Sequence, residues 1–188
     1  MAKASLTLVF FLFATVFGIV SARPLERRDV AQFREDLDHV SHSVHMFADQ
    51  VSALDTVSPA LAFPGFILVG LESMSSGFGE CANDLNDVDS IPYGDSQGIL
   101  EQMEHISPTF VSSMNQLAAA YETAHGPVKR DVGKALRDIR RTINNLGNNL
   151  RRTVNDLASK THNKRQKAAY QHVGNQMLDA VQNASPSQ

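Results

Sequence analysis

Residues 30–54 read VAQFREDLDHVSHSVHMFADQVSAL, and the apolar members Val30, Phe33, Leu37, Val40, Val44, Phe47, Val51 and Leu54 fall at steps of 3, 4, 3, 4, 3, 4 and 3. An α-helix turns once every ~3.6 residues, so this spacing lays all eight on one stripe and leaves the charges outside it. Such a stripe holds its helix only when it is buried against other stripes. Working outward, Ser58-Pro59 ends the first helix, and Ile67, Leu71, Met74, Phe78, Cys81, Leu85 and Val88 repeat the spacing in a second. Asp95 or Ser96 can cap a third helix that carries Ile99, Met103, Ile106, Phe110, Met114, Leu117 and Tyr121, with a kink or restart expected at Ser107-Pro108. Gly126-Pro127 breaks the chain before a fourth helix with Val128, Val132, Leu136, Ile139, Ile143, Leu146, Leu150 and Leu157. The polar stretch Ser159 to Lys167 is expected to connect it to a fifth, bearing Tyr170, Val173, Met177 and Val181. No segment alternates with period two, so no strand is predicted. The fold class expected is all-α: an antiparallel bundle of four to five long helices in a single domain.

Composition agrees. The 188 residues are 43% hydrophobic and 20% charged, with one cysteine and no tryptophan, which excludes a disordered tail, a disulfide scaffold and a cysteine-only zinc site. Leu6 to Val20 is an uncharged apolar run behind Lys3, ending in Val20-Ser21-Ala22. It reads as a secretory signal peptide over 1–22, too short for a membrane span. Residues 23–28 form a short pro-segment whose Arg27-Arg28 is a dibasic processing site, leaving a helical domain over 29–182 and a polar tail over 183–188. The tail lacks the hydrophobic run of a glycolipid anchor. The chain is therefore expected outside the cell, with no transmembrane anchor. Lys129-Arg130 repeats the dibasic chemistry and is expected to survive inside a folded fourth helix.

Loss of residues 1–28 removes Lys3, Arg23, Arg27, Arg28 and the acid Glu26, leaving 13 basic against 19 acidic side chains. From Asp29 to Gly126 there are 15 acids and one base, Arg34; from Pro127 onward there are 12 bases and 4 acids. A basic half can bind nucleic acid. In an exported chain whose other half is acidic, the reading adopted is that acidic and basic helices lie side by side, and no nucleic-acid partner is expected.

Catalytic signatures are missing: G-x-S-x-G, H-E-x-x-H and C-x-x-C do not occur. No enzyme activity, cofactor or metal is therefore expected. His39, His42 and His45, with Asp38 and Asp49, step around an outward face of the first helix rather than converging. Cys81 lies on an apolar stripe and reads as a buried small hydrophobe.

Two features carry functional weight. Thr56 to Leu71 contains no charge, including Ala60 to Val69, where a surface connection is ordinarily polar. Exposed, Phe63 and Phe66 would form an apolar patch; folded inward, they would plug the bundle. The second feature is a set of soft seams. Met74, Met103, Met114 and Met177 lie on stripes and six glycines sit inside helices, which fits either an openable interior or close helix packing. An internal lipid site would be lined by Phe47, Met74, Phe78, Met103, Phe110 and Met114.

The export signal, the helical span, Phe63-Pro64-Gly65 leading into the second helix, Asp95-Ser96 with Ile99-Leu100, and Ser107-Pro108 before the Phe110, Met114, Leu117 stripe together resemble the fungal hydrophobic surface-binding protein family, itself similar to cell-wall galactomannoproteins. The resemblance covers most of the chain after residue 29. Where such proteins commonly carry Lys-Lys-Pro after the third helix, this chain reads Tyr121 to Pro127 as YETAHGP. The resemblance implies a secreted or wall-associated non-enzymatic protein. Its partners would be a lipid or a hydrophobic solid surface, with cell-wall polysaccharide or a secreted hydrolase as further candidates. The alternative is a structural wall mannoprotein or antigen without an apolar ligand.

Overall fold

The computed structural model describes residues 30–53, 65–123 and 132–185. Among these it holds helices and no strand: α1 (Val30–Ser52), α2 (Phe66–Asp84) running into a 3-10 turn (Leu85–Asp87), α3 (Tyr93–Thr123), α4 (Val132–Lys160) and α5 (Lys164–Asn183). The stripe residues of α1 are buried as their spacing requires, Phe33, Leu37, Val40, Val44 and Phe47 at 0–1% exposure, and the inward residues of the other helices join them in one core.

Each helix packs chiefly on two others, in the order α1, α2, α4, α5, α3 and back to α1, so the five close into a ring. Consecutive helices run antiparallel: Ser43 meets Ser73 across α1 and α2, and Val154 meets Gly174 across α4 and α5. Spatial neighbours that are not consecutive run parallel. Asp38 and His45 of α1 face Gln102 and His105 of α3, Ser75 and Phe78 of α2 face Asn149 and Thr153 of α4, and Tyr93 and Ser96 of α3 face Gln166 and Tyr170 of α5. The starts of α1, α3 and α5 therefore share one end of the ring with the ends of α2 and α4.

A ring of five has a roomier middle than a square of four. With neighbouring axes about 8–10 Å apart, simple geometry puts each axis roughly 7–8.5 Å from the centre, so large side chains must reach in to fill it. Phe33 and Phe47 of α1, Phe78 of α2, Phe110 of α3 and Tyr170 of α5 are among the largest fully buried side chains. Phe78 and Phe110 meet edge to face, centroids 6.2 Å apart, although α2 and α3 are not ring neighbours. Their contact spans the interior.

Three local expectations are corrected. Of the kink or restart expected at Pro108, the restart does not occur: α3 runs through the proline as one helix. α3 also begins at Tyr93, earlier than the expected cap, so Ser96 lies inside the helix, its N–H donating to Pro92 O at 2.9 Å. The polar stretch 159–167 is mostly helical: α4 continues to Lys160 and α5 starts at Lys164, since the Asn163 side chain accepts from the N–H groups of Arg165 and Gln166 at 2.9 and 3.2 Å. The acidic and basic helices do lie side by side, α2 on α4 and α3 on α5. Arg152, however, reaches the amide oxygens of Asn83 and Asn86 on the acidic side, and its ion pair, at 3.9 Å to Asp156, stays within α4.

Candidate functional site

The interior is apolar for most of its length and polar at one end. Along it the structure gathers six of the residues singled out from the sequence: Phe47, Met74, Phe78, Met103, Phe110 and Met114, all 0–1% exposed in a single cluster. Met177 of α5 joins them. Methionine has three rotatable bonds and a polarisable sulfur, so four buried methionines on three helices make this core easier to rearrange than one of leucine and isoleucine.

At the end formed by the starts of α3 and α5, three hydroxyls meet out of solvent. Ser96 and Tyr170 are fully buried and Thr161 nearly so. The Tyr170 hydroxyl donates to Ser96 O at 2.6 Å, which commits its only proton. Ser96 Oγ lies 3.2 Å from the Tyr170 oxygen and 3.4 Å from Thr161 Oγ1; with the phenol proton spent on Ser96 O, Ser96 Oγ–H donates to the Tyr170 oxygen and Thr161 Oγ1–H to Ser96 Oγ, long bonds that a better acceptor can replace. Burial pushes the Tyr170 phenol up to about 12, partly offset by its bond to Ser96. Gln166, also buried, donates from Nε2 to Tyr93 O at 3.3 Å and to Gln97 Oε1 at 3.4 Å, while its own Oε1 has no hydrogen-bond partner. The Lys160 ammonium donates to Val88 O, and Ile91 N–H donates to Lys160 O, which ties the turn after α2 across this end.

In the sequence these polar residues do not stand out as a site. Ser96 reads as a cap and Tyr170 as one more stripe residue; only a tertiary fold brings together positions 65 and 74 residues apart. The remaining sequence candidates lie elsewhere. Phe66 is 71% exposed on the first turn of α2, with Val69 at 51%, but Ile67 between them is fully buried and Leu68 half-buried, so the apolar run splits between surface and core. Phe63, Arg27, Arg28 and Lys129-Arg130 lie outside the described residues, as do the proposed signal and pro-segment. His39, His42 and His45 are exposed on α1, and Cys81 is buried, its thiol pushed up by desolvation and by nearby Asp36, Asp84 and Glu80.

Outside the core, grooves follow helix seams among the described residues. One, about 630 Å³, runs between α3 and α5 over Pro108, Val111, Val173 and Ala180. A second of about 500 Å³ lies between α2 and α4, lined by Glu72, Asp138, Arg141 and the amides of Asn145 and Asn149. A third of about 300 Å³ lies between α1 and α3. None is lined by the six buried candidates.

No protein-family model and no curated protein sequence matches this chain. Solved structures do. The structure described as ligand binding domain 2 of Penicillium marneffei MP1 protein complexed with multiple arachidonic acids aligns with a TM-score of 0.67 at 10% identity, covering 84% of this chain and 94% of that one. A structure described as AFMP4P in complex with palmitic acid gives 0.64 at 14% identity, over 83% and 97% of the two chains. Ligand binding domain 1 of the same MP1 protein, complexed with arachidonic acids, gives 0.60 at 10% identity over 83% and 97%. At such identity the likeness is one of fold, and the fold this chain shares is that of helical domains solved with fatty acids.

Proposed function

We propose that this chain is a secreted, non-enzymatic lipid carrier that holds a long-chain fatty acid lengthwise inside the helix ring, its acyl chain along the Phe and Met core and its carboxyl group at the Ser96, Thr161 and Tyr170 end. The observation that carries the reading is the polarity of the interior: a run of rearrangeable apolar side chains ending in buried hydroxyls held to one another by long, replaceable bonds. A carboxyl group taken out of water must recover hydrogen bonds, and this end supplies donors in the Ser96 and Thr161 hydroxyls and an unmet acceptor in Gln166 Oε1. The fold likeness to domains solved with arachidonic and palmitic acids supports the same ligand class. Burying sixteen carbons gains on the order of 10 kcal/mol at ~0.8 kcal/mol per methylene before ordering costs. Parting Phe78 from Phe110 and moving the methionines draws on that sum.

Export, and a mature domain over 29–182 released after Arg27-Arg28, belong to the same proposal and rest on the signal-like run at residues 6–20. Titration of delipidated protein with palmitic acid, followed by native mass spectrometry, tests the carrier. Saturable uptake that weakens in Ser96→Ala is expected; a bare polypeptide at every fatty-acid concentration would leave the structural wall-protein alternative standing. The exposed Phe66 and Val69 favour a second activity, adsorption to wax-like solids. Phe66→Ser is expected to lower adsorption with unfolding unchanged, and undiminished adsorption would remove this patch from the mechanism.

A further inference from the structure

We infer that the far half of the α3 and α5 seam is the portal through which the acyl chain enters and leaves, opening about Pro108; the inference rests on the interior-binding reading above. The seams of the ring are not equally fastened. α2 and α4 are joined by Asn149 Nδ2 to Ser75 O at 2.8 Å and by Thr153 Oγ1 to Phe78 O at 2.9 Å. α1 and α3 are joined by Gln102 Nε2 to Asp38 Oδ1 at 2.7 Å, and α1 and α2 by the Ser43 and Ser73 hydroxyls at 2.9 Å. α4 and α5 touch so closely that a Cβ on Gly174 would lie 2.5 Å from the Val154 methyls.

The α3 and α5 seam is fastened at one end only. Its bonds run from Tyr93, Ser96 and Gln97 to Gln166 and Tyr170. Beyond them, from Glu104 to Asn115 and from His172 to Asn183, no side-chain hydrogen bond crosses between the two helices among the described residues, and here the groove of about 630 Å³ opens. Proline at 108 brings no N–H, so the Glu104 carbonyl loses its intrahelical partner, and both residues line the groove. The wall on this side therefore has one intrahelical bond fewer at Pro108, a place where α3 can bend.

What lies behind the wall fits an acyl chain. The floor is Pro108, Val111, Val173 and Ala180, with Glu104 and Asp179 at the rim. One residue along from the groove on each helix, Met103, Phe110, Met114 and Met177 turn inward to the core. Displacing methionines requires rotamer changes rather than backbone rupture. A fatty acid sliding in sideways would keep its carboxyl toward the fastened end, where the hydroxyls are.

Stopped-flow uptake and release of the fluorescent fatty acid cis-parinaric acid by the whole mature chain tests this. Pro108→Ala, which restores the backbone donor, and Ser112→Trp, which narrows the groove, are each expected to slow both association and dissociation about fivefold or more with affinity held within about twofold. Asn145→Trp in the α2 and α4 groove is the control and should leave both rates unchanged. Unaltered rates in the two portal variants, or equal slowing in the control, would overturn the portal while saturable binding left the carrier reading intact. A wild-type chain that takes up no fatty acid would end both. Should a variant fail to fold, amide exchange in the ligand-free wild type decides: residues 104–112 of α3 are expected to exchange faster than the mid-α4 amides, and the reverse order would overturn the portal.

Discussion

Gly174 of α5 sits against Val154 of α4 with no room for a side chain, since a Cβ there would lie 2.5 Å from both methyls. Gly94, in the first turn of α3, has nothing within 4 Å of the same position. One substitution should therefore act in opposite directions: Gly174→Ala is expected to lose about 1–3 kcal/mol through overpacking, whereas Gly94→Ala should gain up to about 1 kcal/mol through helix propensity. Urea unfolding of both checks it, and equal effects would show that the α4 and α5 contact is looser than described. Tyr170 offers a second residue-scale test. Its phenol is raised from 10.0 to about 12 by burial, so the folded state holds that proton more tightly than the unfolded one. The stability linked to it is whole below pH 10 and drains away as pH rises from there through about 12. The buried Cys81 thiol, raised above its ordinary 9.0, acts in the same direction. Tyr170→Phe should cost about 1–3 kcal/mol at neutral pH by removing the buried hydroxyl that bonds both Ser96 O and Ser96 Oγ, and it should flatten the alkaline decline. A decline as steep as that of the wild type would place the titration elsewhere.

At the scale of the element, α5 starts against the local electrostatics. Lys164, Arg165 and Lys167 occupy its first turn, where the helix dipole favours anions, and no acid accompanies them. The start holds because Asn163 takes two backbone N–H groups. Asn163→Ala is expected to cost about 1 kcal/mol, read as a lower urea midpoint with an unchanged slope; an unchanged midpoint would mean that packing of Gln166 and Tyr170 sets the boundary alone. This boundary also marks the limit of periodicity as a guide. Stripes at Tyr170, Val173, Met177 and Val181 locate α5, but a polar run such as 159–167 looks alike whether it is loop or helix end, and only the cap chemistry separates the two. Pro108 shows the same limit. Its missing donor is legible from the residue name, yet whether the helix stops there depends on neighbours supplied by α1 and α5.

For the whole molecule, the carrier reading makes a thermodynamic prediction. Fatty acid held by the folded state alone, at about a hundred times its Kd, adds about 2.7 kcal/mol, or roughly 5–10 °C in Tm for a domain of this size. A thermal scan with and without palmitic acid measures it, and an unmoved Tm would count against an interior site. Much of the interior was legible beforehand: Phe47, Met74, Phe78, Met103, Phe110 and Met114 are buried together, as their stripes require. The polar end was not, because Ser96, Thr161 and Tyr170 belong to three different segments whose meeting no local pattern encodes.

By itself the sequence determined that the chain forms long helices, which face of each turns inward, and that no strand competes, because the spacing of apolar residues acts within a few turns of one helix. The tertiary structure alone decided that the helices close in the order α1, α2, α4, α5, α3, that three seams run parallel, and that hydroxyls cap one end of the interior while one seam stays half unfastened. A stripe tells a helix to bury one side but is indifferent to which partner covers it; that choice is made by side-chain shape and by hydrogen bonds between residues far apart in the chain.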